Sequence, residues 1–409
     1  MEHFSERRAR VFARSLASPP SPTSHERQFI HKMPSCSSFL TSFRNAFAPE
    51  VAAVFRNLTI HADATSLEHA AAARRRKVWD LIPFGYELDM LWLHVRTLDS
   101  VVDGFLVTEA TTSHMYDERK PTLLSDAIAN GSVPAAITAS KLRVRKVEFA
   151  RERHRFCPSP HQRCYEALQR FLLLEMLFEV ASPEDLVLVG DVDEFAKPSV
   201  VSMLKTCYPF DPKRRMPAFL VLKLTLYKFG VHCDHGNTFE MGTRAFSAGG
   251  LMAAYGDHKR ATRQKREEMS ADFTLTRSRF HSAPSIPMAG WHLTSFGAPS
   301  ELARKLRTFL HANIFHATER ERKGSLSEPR LERCMRYCLE LDKPMVNGVM
   351  PPCEGRSDPK SRKLPGTLRS EIAGADLPPP LLNHRAQWPP AWFQFVDETP
   401  RSDSHLALT

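Results

Sequence analysis

DLVLVGDVDEFAKPSVV (185–201) decides how this chain is read. The apolar run LVLVG (186–190) reads as a buried strand. Asp191, Val192, Asp193 and Glu194 follow at once, so three carboxylates stand at the carboxyl end of a sheet strand. Open α/β sheets bind their ligands there. Three acids in four residues repel one another unless a cation neutralises them, and hard oxygen ligands of this kind suit Mg²⁺ or Mn²⁺ held with a substrate phosphate. Strand alternation puts Asp191 and Asp193 on one side, converging on a common point. The bland alternative is a strand-to-helix turn whose acids cap a helix starting near Pro198 and Ser199.

Working outward, ELDMLWLHVRTL (87–98) sets Leu88, Leu91, Trp92, Val95 and Leu98 on one helical stripe. VVDGFLVTEA (101–110) reads as a buried strand ending in polar residues, and LSDAIANG (124–131) as a short helix stopped by Asn-Gly. KLRVRKVEF (141–149) alternates as a half-exposed strand does. QRCYEALQRFLLLEMLFEV (162–180) is the longest predicted helix, and its broad apolar face implies deep burial. FLVLKLTLYKFG (219–230) is a third strand, and SELARKLRTFLHANIF (300–315) an amphipathic helix. Strands alternating with helices across 100–205 predict a largely parallel sheet with helices on both faces.

Composition narrows the classes. A hydrophobic fraction of 42% with 25% charged residues excludes wholesale disorder of the 409-residue chain. Eight cysteines without one CxxC pair argue against a zinc ribbon, and Cys334 and Cys338 read as buried small side chains. No run of about 18 apolar residues occurs, so no membrane span is expected. The net charge of +10 gathers in 1–77, 141–155 and 258–279. No nucleic-acid module accompanies those runs, so a nucleic-acid partner is not expected, whereas an anionic small molecule such as a nucleotide suits them. Residues 1–77 lack apolar periodicity and read as a poorly packed extension. The expected domain is 78–395, including a Pro-rich part (346–395) that packs on it, and 396–409 form a loose tail. Asn57 and Asn130 head glycosylation sequons, which matter only in the secretory pathway.

Two reaction classes place DxD after a strand. Phosphotransferases of the haloacid-dehalogenase type follow it with Thr or Val, where this chain has Phe195, and carry it near the domain start. Here it lies about a hundred residues in, as in GT-A nucleotide-sugar transferases. Five blocks in order resemble the family-17 glycosyltransferases, the family of the enzyme that adds bisecting N-acetylglucosamine to N-glycans. They are 87–121, EALQRFLLLEML (166–177), 185–201, AGWHLTSFGAPSELARKLRTFLH (289–311) and DLPPPLLNHRAQWPPAWF (376–393). The chain departs from the family at 153–170, before and within the Gln-Arg helix, at Gly190 and Phe195, in the basic stretch 258–279, and in lacking an anchor segment.

The resemblance implies a GT-A-like α/β fold, a mixed and mostly parallel sheet flanked by helices. It also implies transfer of N-acetylglucosamine from UDP-GlcNAc to a mannose-containing glycan or glycoprotein, with inversion and a divalent metal, Mn²⁺ or Mg²⁺, in the Golgi or secretory lumen. The metal ligands it implies are Asp191, Asp193 and His292, although a His after a Trp is also a common packed residue. Glu109, Arg170 and Lys305 are candidates for the UDP-sugar. Glu109 and Arg170 also make sense paired with each other, and Lys305 and Arg304 as an outer helix face. The general base is sought among Glu194, Asp234, Glu240 and Asp257. A DxD phosphohydrolase and a catalytically degenerate basic binding protein are the rival readings.

Overall fold

The computed structural model describes residues 76–113, 119–133, 141–149, 162–207, 219–228, 233–239, 242–252, 285–308, 328–336, 367–368 and 377–393. Its centre is β1 (Val78–Phe84), which pairs in parallel with β2 (Gly104–Ala110) on one side and β4 (Leu186–Val189) on the other. β3 (Leu142–Val147) extends β2, also in parallel. Beyond β4 the sheet turns antiparallel through β8 (Arg244–Ser247), β6 (Phe219–Lys228), β7 (Cys233–Phe239) and β10 (Thr367–Leu368). β9 (Ser285–Thr294) runs parallel to β6 and antiparallel to the short β5 (Glu194–Ala196). The result is the mixed, helix-flanked GT-A-like sheet expected from the sequence.

Alternation along β1 explains the layers. Val78, Ile82 and Phe84 face the core shared with α1 (Leu88–Leu98) and α2 (Leu123–Ala129). Trp79 and Leu81 face the opposite core, with Leu173, Leu174 and Leu177 of α3 (Gln162–Phe178). The predicted stripe of α1 is buried at Leu91, Trp92, Val95 and Leu98. β3 is the half-exposed strand its alternation predicts. Three further helices follow: α4 (Pro198–Cys207), α5 (Pro299–Thr308) and α6 (Glu328–Arg336). The predicted helix at 300–315 is described only as far as Thr308, and Cys338 lies outside the described residues.

Residues 377–393 lie against α1. α7 (Pro379–Asn383) and two 3₁₀ turns bring Trp388 and Trp392 into a parallel stack, 5.8 Å between ring centroids. Trp388 Nε1 donates to the Pro380 carbonyl at 2.9 Å, and Arg96 of α1 donates to Gln387. No helix among the described residues is long and apolar enough to cross a membrane.

Two local constraints shape the end of β1 and the β5–β9 pair. Lys120 Nζ donates to the Gly85 carbonyl at 2.9 Å and lies over the rings of Phe84 and Tyr86. Its burial outweighs the attraction of Glu109 and Glu87 and pushes the ammonium down to about 8. At Gly290 a Cβ would stand 2.2 Å from the Phe195 carbonyl oxygen, so β9 approaches β5 this closely only with glycine there.

Gly290→Ala is therefore expected to destabilise the protein by about 2–3 kcal/mol in urea unfolding. An unchanged midpoint would contradict the close approach. Lys120 binds its proton more weakly folded than unfolded, so folding loses this burden as pH rises from about 8 toward the unfolded value. The wild type should accordingly gain stability relative to Lys120→Met between pH 7.5 and 9.5. A difference between the two that does not change with pH would contradict this.

Candidate metal centre and its surroundings

β1 crosses over to β2 on one side, while β4 lies on its other side. The crevice at their carboxyl ends is thus the switch point where open α/β sheets bind ligands. After β4 the chain passes Gly190 and turns, with the Glu194 amide donating to the Asp191 carbonyl at 2.9 Å. Gly190 leaves room for Thr243, whose hydroxyl donates to the Glu194 carbonyl at 2.8 Å; a Cβ on Gly190 would stand 2.7 Å from the hydroxyl oxygen. β5 then pairs with β9 so that Glu194 lies opposite His292, Phe195 opposite Trp291 and Ala196 opposite Gly290. The Leu293 amide donates to the Asp193 carbonyl at 2.8 Å, tying the turn to β9.

The turn changes the geometry expected from sequence. Asp191 is not among the clustered ligand atoms, because alternation holds only in an extended strand, although its carboxylate still repels that of Asp193. Asp191 Oδ1 instead accepts from Arg170 at 2.5 Å, and Arg170 also binds Glu166 at 3.0 Å. Glu194 takes the position beside Asp193. Ligand atoms of Asp193, Glu194 and His292 all lie within 4.8 Å of one another, and all three residues are buried. His292 Nε2 stands 3.8 Å from Asp193 Oδ1 and 3.9 Å from Glu194 Oε1.

These separations exceed hydrogen-bond length but suit ligands of a common ion. Two atoms each about 2.1 Å from one cation lie at most about 4.2 Å apart, a limit that both His292 separations meet. Two carboxylates and an imidazole fit Mn²⁺ or Mg²⁺ completed by phosphate and water oxygens, with the imidazole favouring Mn²⁺ of the two. Metal binding also needs the carboxylates ionised. Burial pushes Asp193 up, but Lys305 and then His292 outweigh it and hold its carboxyl below the usual range. Lys305 Nζ lies 3.0 Å from Asp193 Oδ2 and 2.5 Å from Glu87 Oε1. Burial opposes its charge, yet Asp193 and Glu87 together raise it above the ordinary lysine range.

Other sequence candidates fall differently. Glu109 is fully buried and pairs neither with Arg170 nor with the crevice. Its oxygens accept from the Leu124 and Ser125 amides at 2.9 Å and from the Ser125 hydroxyl at 2.6 Å, which caps α2 at its positive end. Arg170 serves Asp191 and Glu166 rather than Glu109. Lys305 faces the acid cluster, not an outer helix face, while Arg304 is exposed and stands over the Tyr86 ring, 5.2 Å to its centroid. Asp234 lies on β7 opposite Tyr227 and Thr367. Glu240 and Asp257 are outside the described residues.

Several further residues support the site. Gln169 Nε2 donates to the Phe84 and Thr108 carbonyls at 3.1 and 2.7 Å, pinning α3 across the ends of β1 and β2. Buried His94 bridges Asp80 Oδ2 (2.8 Å) and the Val192 carbonyl (3.0 Å), supporting the acidic turn from below. A carbonyl only accepts, so Nδ1 donates to it. Phe195 fills the space between the His94 and Trp291 rings. Glu87, the residue before α1, carried no signal of its own in the sequence.

Solved structures offer a partial likeness. A mycobacterial protein is 12% identical, with 61% of this chain and 78% of that one covered and a TM-score of 0.31. Glucosyl-3-phosphoglycerate synthase from Mycobacterium tuberculosis, in complex with Mg²⁺ and uridine diphosphate, is 13% identical, with 56% and 74% covered and a TM-score of 0.28. Similarity of this size leaves the fold to be read from the chain's own sheet order. No curated protein matches the chain. The profile of glycosyltransferase family 17, by contrast, matches residues 55–264, from before β1 through the acidic turn and β8, just over half of the chain. The chain belongs to glycosyltransferase family 17.

Proposed function

We propose that the protein transfers N-acetylglucosamine from UDP-GlcNAc to a mannose-containing glycan of a glycoprotein, with inversion and with Mn²⁺ or Mg²⁺, in the Golgi or secretory lumen. The observation that carries this reading is the set Asp193, Glu194 and His292 at the switch-point crevice of a family-17 chain. These three side chains would hold the ion, which when bound supplies positive charge to the departing diphosphate. The chain's own part is preorganisation. Lys305 keeps Asp193 ionised, β9 presents His292 from across the strand pair, and the Asp191 amide meets Glu194 Oε2 at 3.4 Å. With Oε2 turned to that amide and Oε1 toward His292, Glu194 acts as a ligand and leaves the acceptor-side base to another carboxylate.

Purified protein incubated with a panel of UDP-sugars and a mannose-rich acceptor, with and without Mn²⁺, tests this reading. UDP release is expected with UDP-GlcNAc, only with metal, and it should fall roughly 100-fold or more in Asp193→Ala, at least the loss typical of residues that support metal ligands. The variant should keep a cooperative unfolding transition. Activity without metal, near-normal turnover by Asp193→Ala, or metal-dependent hydrolysis of simple phosphate esters in place of transfer would overturn it.

A further inference from the structure

Lys305 stands where two separate elements present acids to one ammonium. Glu87 comes from the junction of β1 and α1, and Asp193 from the turn after β4. The lysine is delivered by α5, which follows β9 through a tight connection with Ser295 at φ 60° and Gly297 at φ 145°. One continuous unit therefore supplies both His292 and Lys305, and both approach Asp193. They approach different oxygens: His292 Nε2 is 3.8 Å from Oδ1, and Lys305 Nζ is 3.0 Å from Oδ2. A side chain held by two carboxylates and only 25% exposed is not a solvated helix face.

Charge balance gives this arrangement a consequence. Asp193, Glu194 and Glu87 carry three negative charges against one on Lys305, with His292 counted as a neutral ligand. Without metal the cluster therefore keeps two negative charges in excess. A divalent ion on Asp193 would cancel that excess but would place a second cation on a carboxylate that already holds an ammonium, so Lys305 opposes it. A diphosphate entering beside the ion brings negative charge that offsets this repulsion and offers Lys305 a new anionic partner.

We propose that Lys305 is a tethered counter-ion that couples metal binding to donor binding: it stabilises the acid cluster without metal, weakens binding of the metal alone, and rewards the arrival of a nucleoside diphosphate. This rests on the reading of the crevice as a divalent-metal and nucleotide-diphosphate site. Coupling of this kind is reciprocal, so UDP tightens Mn²⁺ by the same factor as Mn²⁺ tightens UDP.

The test titrates Mn²⁺ into the full-length protein with and without UDP, following free Mn²⁺ by electron paramagnetic resonance, for wild type, Lys305→Met, Lys305→Gln and Lys305→Arg. In the wild type UDP should tighten Mn²⁺ about tenfold or more. Lys305→Met and Lys305→Gln should bind Mn²⁺ alone about tenfold tighter than wild type, and UDP should add little. Their melting temperature without metal should fall and be recovered by Mn²⁺. Lys305→Arg, which keeps the charge, should behave as wild type. The glutamine variant keeps a hydrogen-bonding side chain should methionine prevent folding. Neutral variants that bind Mn²⁺ alone no better than wild type, or that keep the full UDP enhancement, overturn the proposal while leaving the site reading intact. A wild type that binds neither Mn²⁺ nor UDP overturns both.

Discussion

The pairing of β5 with β9 is the interaction on which the site depends. β5 has only three residues, yet it places Glu194 directly opposite His292, and the Leu293 amide holds the Asp193 carbonyl. Residues about a hundred positions apart in sequence thereby become neighbours. The pairing requires Gly290, because any side chain there meets the Phe195 carbonyl. It also requires the core beneath it, where Phe195 lies between His94 and Trp291. Burying one such ring contributes about 1.5–3 kcal/mol, enough to hold a strand too short to stand alone.

Once the pair has formed, electrostatics becomes the governing problem. Asp193 and Glu194 are buried next to each other, and burial alone would favour the protonated form of Asp193. Lys305 and then His292 reverse that tendency at Asp193, while Arg170 hydrogen-bonds Asp191. The same cations that make the empty cluster tolerable also set the conditions under which a metal ion can join it. Stability and metal affinity are therefore linked through the same few side chains.

Much of the frame was legible in the sequence because its elements bury simple patterns. The stripe of α1, the long apolar α3 and the continuous run of β4 all announce themselves. β1 was harder, since VWDLIPF is buried on both faces and carries Asp80 inward, where His94 binds it. β9 was visible only through the Gly-Trp-His resemblance, because Pro287 and Gly290 interrupt any β pattern in SIPMAGWHLT. Of the sequence candidates, Asp193 and His292 lie together with Glu194, while Asp191 is hydrogen-bonded to Arg170 at a turn that periodicity does not encode. Glu109 caps α2, a role that looks in sequence the same as a strand-end acid facing a ligand. Glu87 and His94 act through tertiary placement, which no local spacing reveals.

The central claim is that a cross-strand histidine joins two acids from the turn after β4 around one ion. Pulsed electron paramagnetic resonance of Mn²⁺ bound together with UDP tests it most directly, because coordinated imidazole nitrogen couples to the electron spin. The account predicts coupling to a single ¹⁴N nucleus that disappears in His292→Ala. Mn²⁺ bound in the crevice with oxygen ligands alone, or a nitrogen coupling that survives the substitution, would contradict it.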